Sequence, residues 1–197
     1  MQFLIDHITS IVIGAVLILI VAGVQLRGQN SSVDATQYSA AKTRLLDLAQ
    51  MMERDFSNIG AGVSTAAMAS AIQTFDTLSS TRVFAFYGRV DQADPDSHLI
   101  RYEWVPTDSV TLKNSQVVTT YQITRLVDGA YTASSLPTVT RVRIDLMDAD
   151  SNAVGGMYSN TRLVSVDITA VSPLGVGDEI EQPRWQRIFR PANLTRF

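Results

Sequence analysis

Residues 3–27 read FLIDHITSIVIGAVLILIVAGVQLR, and the reading of this run decides how the rest of the chain is organised. Past Asp6 and His7 it is apolar from Ile8 to Leu26 with only Thr9, Ser10 and Gln25 as polar members, and no charge stands between Asp6 and Arg27. A helix of about 20 residues at 1.5 Å per residue covers a hydrocarbon core of about 30 Å, so the run is just long enough to cross a bilayer. A secretory signal peptide is the rival reading. It lacks support here, because no basic region precedes the apolar stretch and no small-residue cleavage pattern closes it at Gln25-Leu26-Arg27. Residues 1–27 are therefore expected to form a hydrophobic transmembrane or assembly helix. Charge does not fix its orientation, since only the terminal amine can be weighed against Arg27.

Outward from this run, Gly28-Gln29-Asn30-Ser31-Ser32 reads as a loosened or capped junction, and a second helical pattern begins at Val33 or Asp34. Its apolar positions are Tyr38, Ala41, Leu45, Leu48, Met52, Phe56 and Ile59, each three or four residues after the last. That spacing draws one stripe on an amphipathic helix, with Lys42, Arg44, Asp47, Gln50, Glu53, Arg54 and Asp55 assigned to other positions. Tyr38, Leu45, Leu48, Met52, Phe56 and Ile59 are the expected helix–sheet core. Gly60-Ala61-Gly62 supplies a stop, because glycine accepts the left-handed geometry that ends helices. Residues 28–62 are thus read as an amphipathic helix continuing into a globular domain. An Ala-rich stretch from Ser64 to Phe75 reads as a further turn or two of weakly amphipathic helix.

From Arg82 the periodicity changes to that of strands. Val83–Val90, Leu99–Val105, Val117–Leu126, Val139–Leu146, Arg162–Val171 and Trp185–Phe189 are candidate strands, separated by turn compositions at Asp94-Pro95-Asp96, Val127-Asp128-Gly129, Asp148 to Gly156 and Pro173-Leu174-Gly175. Arg141 to Leu146 and Leu163 to Ile168 alternate polar and apolar cleanly, as a sheet does with one wet face and one face on a helix. Residues 63–197 are read as a β-rich outer domain. The fold class expected is α+β, a long N-terminal α-helix packed on an antiparallel sheet.

A chain of 197 residues suits one such domain plus an extra element. Its net charge of −3 lacks the basic excess that nucleic acid requires. The absence of cysteine excludes disulfides, thiolate metal sites and a cysteine nucleophile.

A membrane-length helix that opens the chain, continues as an amphipathic helix and docks on an antiparallel sheet resembles the plan of type IV pilins and type II secretion pseudopilins. Gln2-Phe3-Leu4-Ile5-Asp6 is similar to the Phe-Thr-Leu-Ile-Glu opening of mature pilins, with Asp6 at the acidic position. Met52-Glu53-Arg54-Asp55-Phe56 to Ala61-Gly62 resembles the helix end of the larger minor pilins and J-type pseudopilins. Tyr121-Gln122-Ile123-Thr124-Arg125 with Asp128-Gly129 resembles their strand ending in Arg before a turn, and Ile188 to Leu194 is similar to their terminal Arg-Asn-Leu. Counting from Met1, the acid stands at position six where the family has five. A short basic leader ending in Gly is what the resemblance leads one to expect upstream.

The resemblance implies a structural subunit of a pilus-like or pseudopilus filament, in a repeating or a minor, priming role. Its partners would be copies of itself or other pilin-like subunits, and its place the bacterial inner membrane with a periplasmic domain, or an extracellular filament after assembly. It also implies that the Asp6 carboxylate pairs with the N-terminal amine, here Met1, of a neighbouring subunit. The matching opening adds Phe3 to the assembly residues. Gly14, Ala22 and Gly23 form no clean four-residue motif and stay open between close helix approach in lipid or a filament core and ordinary membrane-helix composition. The reading from a different class is a single-pass tethered accessory or ligand-binding module of an envelope complex.

No paired nucleophile and base, acid and base, or phosphate-cradling glycine loop emerges, so the chain is read as no enzyme and as needing no cofactor. His7 and His98 are far apart and read as ordinary surface or interfacial residues. Asp148-Ala149-Asp150-Ser151-Asn152, with Asp145 before it, offers the alternating oxygens of a calcium loop. Ala153 stands where that loop needs glycine and Ser159 where it needs Glu, so this is no EF-hand. Asp145, Asp148, Asp150 and Asn152 remain open between calcium ligands and a solvated hairpin. Asp91, Asp94 and Asp96 around Pro95 are open in the same way.

Overall fold

The structure, a computed structural model, describes residues 2–77, 82–91, 93–111, 117–135, 138–155, 158–171 and 182–194, and in helix α1 its side chains from Ser10 onward apart from residues 30 and 34. The apolar run and the amphipathic stripe form a single α-helix, α1, Gln2–Ser57. No break occurs at Gly28. At 1.5 Å per residue its length is about 84 Å. Thr36 and Thr43 donate their hydroxyls to the carbonyls of Ser32 and Ser39, at 2.8 and 2.9 Å. These bonds to the preceding turn satisfy the hydroxyls inside the helix itself.

A short 3-10 helix, Thr65–Ser70, follows, and then the strands β1 Ile72–Asp76, β2 Arg82–Gly88, β3 His98–Thr111, β4 Val117–Val127, β5 Ala130–Ser134, β6 Val139–Met147, β7 Leu163–Ala170 and β8 Arg184–Phe189. They make one antiparallel sheet in the order β1-β2-β3-β4-β6-β7-β8, with β5 also pairing β4. The β4–β6 junction rests on one residue pair, Tyr121 opposite Val139. Phe56 receives the rings of Phe84, Phe86, Tyr102 and Phe189 edge-on at centroid distances of 5.4, 5.5, 5.5 and 5.6 Å. Those four rings come from β2, β3 and the terminal strand β8, so the two sides of the sheet meet on one helical residue.

Two strands extend the expected set. Within the stretch Ser64–Phe75 the expected helical turns form as the 3-10 helix, but its end becomes β1, because Ile72, Thr74 and Phe75 offer strand-forming side chains to the free edge of β2. Phe75 packs edge-on against Phe84 at 5.7 Å. Strand β5 arises from the turn Asp128-Gly129, whose φ angles of 51° and 81° give the doubly left-handed geometry that a two-residue hairpin favours.

The helix ends before Ile59. That residue is fully buried but non-helical, bridging to Gly88 of β2. Gly88 is needed there, because a Cβ on it would stand 2.7 Å from the carbonyl oxygen of Asn58. The amide of Gly60, at φ 78°, then donates to Tyr87 O at 2.7 Å and fixes the exit of the helix onto the sheet.

Candidate assembly element and its anchor

From Ser10 to Gln29 nothing in the chain covers α1. Ile18 and Leu19 are 70% and 71% exposed, and Ile11, Val12, Ile13, Val16, Leu17, Ile20, Val21, Val24 and Leu26 are exposed with them. This is a helix long and apolar enough to cross a membrane. A Cβ built on Gly14 or Gly23 would meet nothing within 4 Å, so no other part of this chain uses their flat surface. Helix α1 includes Phe3 and Asp6, whose side chains lie outside the described residues, as does Met1.

Burial begins at Ala41 and continues through Leu45, Leu48, Ala49, Met52, Asp55 and Phe56. Tyr38 departs from the expectation: it is half-buried and stands outside the core, because the sheet first closes on the helix one turn later. About 14 residues, from Arg27 to Ala40, form a helical stalk of about 21 Å between the apolar segment and the first buried turn, with Gln37 and Tyr38 half-buried near its end.

Asp55 departs from the polar positions expected of it and is fully buried. It stands three residues after Met52, so it belongs to the same stripe. Arg125 on β4 grips its carboxylate with two nitrogens, Nε to Oδ2 at 2.5 Å and Nη2 to Oδ1 at 3.2 Å. Tyr102 on β3 donates its hydroxyl to Oδ2 at 2.6 Å. Arg125 also donates from Nη1 to Thr132 Oγ1 on β5 at 2.9 Å, and Thr132 in turn donates to the Arg125 carbonyl at 3.1 Å. Burial, then the neighbouring Asp55 charge, push the Tyr102 phenol well above its usual range. Burial opposes the charge on Arg125, but hydrogen bonds and attraction to Asp55 raise its pKa overall. Two of the sequence features quoted for the resemblance, the helix end around Asp55 and the strand ending in Arg125, therefore meet as one buried ion pair. Removing either partner of such a pair leaves an uncompensated charge in the interior.

Among the aspartates of the possible calcium loop, Asp148 is engaged with its own turn. Asp148 Oδ1 accepts the amides of Asp150 and Asn152, each at 2.9 Å, and Oδ2 accepts the Asn152 side-chain amide at 3.3 Å. The amide of Asn152, first among these, holds the Asp148 carboxyl below its ordinary pKa. Asp145 pairs instead with Arg143 at 2.8 Å. Among the described residues no three His, Asp or Glu side chains converge as metal ligands. His7 has no described side chain, whereas His98 lies between Asp94 and Asp128. On the outer face of the sheet Asp167 is clamped by Arg184 through bonds of 2.7 and 2.8 Å, which lower its carboxyl pKa.

No family model, curated protein or solved structure matches this chain.

Proposed function

We propose that this chain is a structural subunit of a type IV pilus-like or pseudopilus filament. The bacterial inner membrane would hold it through α1 before assembly, and the uncovered half of α1 would then pack against other pilin-like subunits. The observation that carries this reading is one unbroken helix whose first half is apolar and uncovered while its second half is locked into a sheet. Eleven large apolar residues from Ile11 to Leu26 are exposed. At about 1.5–3 kcal/mol for each buried aliphatic side chain, covering them is worth on the order of 15–30 kcal/mol. That exceeds the whole stability of an ordinary domain, about 5–15 kcal/mol, so lipid or partner helices must surround the segment. The sheet domain has no need of the segment for its own core. A detachable lipid-or-partner segment on a self-sufficient domain is what a subunit that leaves a membrane for a filament requires.

Shearing surface material from producing cells, imaging it by negative stain and identifying this chain in it by mass spectrometry tests the proposal. Its presence in filaments, with an N-terminal mass that places Asp6 at the fifth mature position, is the expected result. Recovery only from detergent-extracted membranes, with no filament carrying it, overturns the proposal in favour of a tethered accessory module.

A further inference from the structure

We propose that His98 is a protonation-dependent clasp that ties the β2–β3 loop to the β4–β5 turn where the helix exits onto the sheet. His98 is the first residue of β3 and pairs with Gly88, which itself bridges to Ile59 just past the helix. Its Nδ1 stands 2.6 Å from Asp128 Oδ2 and its Nε2 stands 2.9 Å from Asp94 Oδ2. Ionised carboxylates only accept hydrogen bonds, and neutral imidazole carries a single N–H. Both bonds are therefore filled only by the imidazolium, and loss of one proton removes one of the two, loosening the link between the loops.

Each carboxylate is fixed from its other oxygen by backbone. Asp128 Oδ1 accepts the Leu99 amide at 2.9 Å, while the Asp128 amide donates to Leu99 O at 2.9 Å. Asp94 Oδ1 accepts the Asp96 amide at 3.0 Å. The ring thus joins two turns that are already shaped to receive it.

The charged groups around the clasp are Asp94, with Asp91 and Asp96 on the same loop and Arg89 at its start, and Asp128 on the opposite turn. The helix-exit segment 58–64 carries no charge. Hydrogen bonds to Asp128 and then Asp94 raise the His98 pKa above its ordinary 6.5. The Asp96 amide and then His98 lower Asp94 below 3.8, and His98 followed by the Leu99 amide lowers Asp128 in the same way. The raised imidazole contributes its full stability below 6.5 and loses it as pH climbs through its higher folded value. The lowered carboxylates contribute above 3.8 and lose their share as pH falls through their lower folded values. The clasp is fully closed between those limits and opens on the alkaline side, where this end of the domain also becomes one charge more negative.

The test uses the full chain in detergent micelles. NMR would follow the His98 ring resonances and the exchange of the Leu99 and Asp128 amides, corrected for intrinsic rates, at about pH 5.5 and about pH 8.5, on either side of the imidazole range. The expected result is an imidazole midpoint above 6.5, with amide protection falling about two- to tenfold at the higher pH. His98→Gln should abolish that fall, and Asp94→Asn should bring the midpoint back toward the ordinary value. A midpoint at or below 6.5, protection equal at the two pH values, or an equal fall in His98→Gln each overturns the clasp.

Discussion

The two halves of α1 share one unbroken backbone and differ in what surrounds them. Residues 11–26 present mostly apolar side chains all round, and no other part of the chain covers them. Residues 41–56 present one stripe, and that stripe is covered by strands from both sides of the sheet. The first half has composition without pattern, the second has pattern with a modest apolar content. A helix hydrophobic on every side needs a surrounding apolar medium, whereas an amphipathic one needs a single opposing face. The comparison teaches that a continuous helix can belong to two solvents. Its chemistry changes across the stalk between them.

The largest effects should break the second half. Phe56→Ala removes the ring on which four aromatic neighbours converge, and is expected to cost about 3–5 kcal/mol in chemical denaturation. Asp55→Ala should cost a similar amount, about 3–5 kcal/mol, because it strands the Arg125 charge inside. The paired change Asp55→Leu with Arg125→Met should recover much of that loss. If the double variant is no more stable than Asp55→Ala, the loss does not come from the stranded Arg125 charge. In the first half, Ile18→Arg should leave the melting temperature of the domain unchanged while penalising membrane insertion by about 2.5–3.5 kcal/mol, read by carbonate extraction of membranes. A domain destabilised by Ile18→Arg would contradict the division of the helix. The smallest effect is expected at Tyr38→Ala, just below the first contact with the sheet, within about 0.5 kcal/mol. A larger loss would move the boundary between the halves toward the N-terminus.

How far these features could be read beforehand follows from periodicity. The stripe of Leu45, Leu48, Met52 and Phe56 repeats at helical spacing and announces its own burial. Arg141 to Leu146 alternates so regularly that β6 is plain. Tyr38 follows the same spacing and escapes the core, because periodicity marks a face and says nothing about where the sheet that covers it begins. Asp55 escapes the opposite way: a charge on a wheel is sorted outward by polarity, and only its position three residues after Met52 hints that it belongs inside. Strand β1 hides among alanines because its reason to exist is the vacant edge of β2, a tertiary fact. Strand β5 was signalled by Asp128-Gly129, whose turn geometry demands a returning strand even where Ala130, Ala133 and Ser134 form it weakly. The clasp at His98 joins residues 30 positions apart along the chain, and no local pattern brings Asp128 to mind from His98.

The stalk has a consequence for the forces the domain feels. With the apolar segment in a bilayer, about 21 Å of helix separates the hydrocarbon edge from the first buried turn, and the headgroup layer takes up about 5–8 Å of it. At physiological ionic strength the field of a charged surface decays over about 8 Å. The remainder spans nearly two such lengths, so an anionic lipid surface would be largely screened from Arg143, Arg184 and the acidic loop around Asp94. Their electrostatics would answer to what lies outside a bilayer that held the segment.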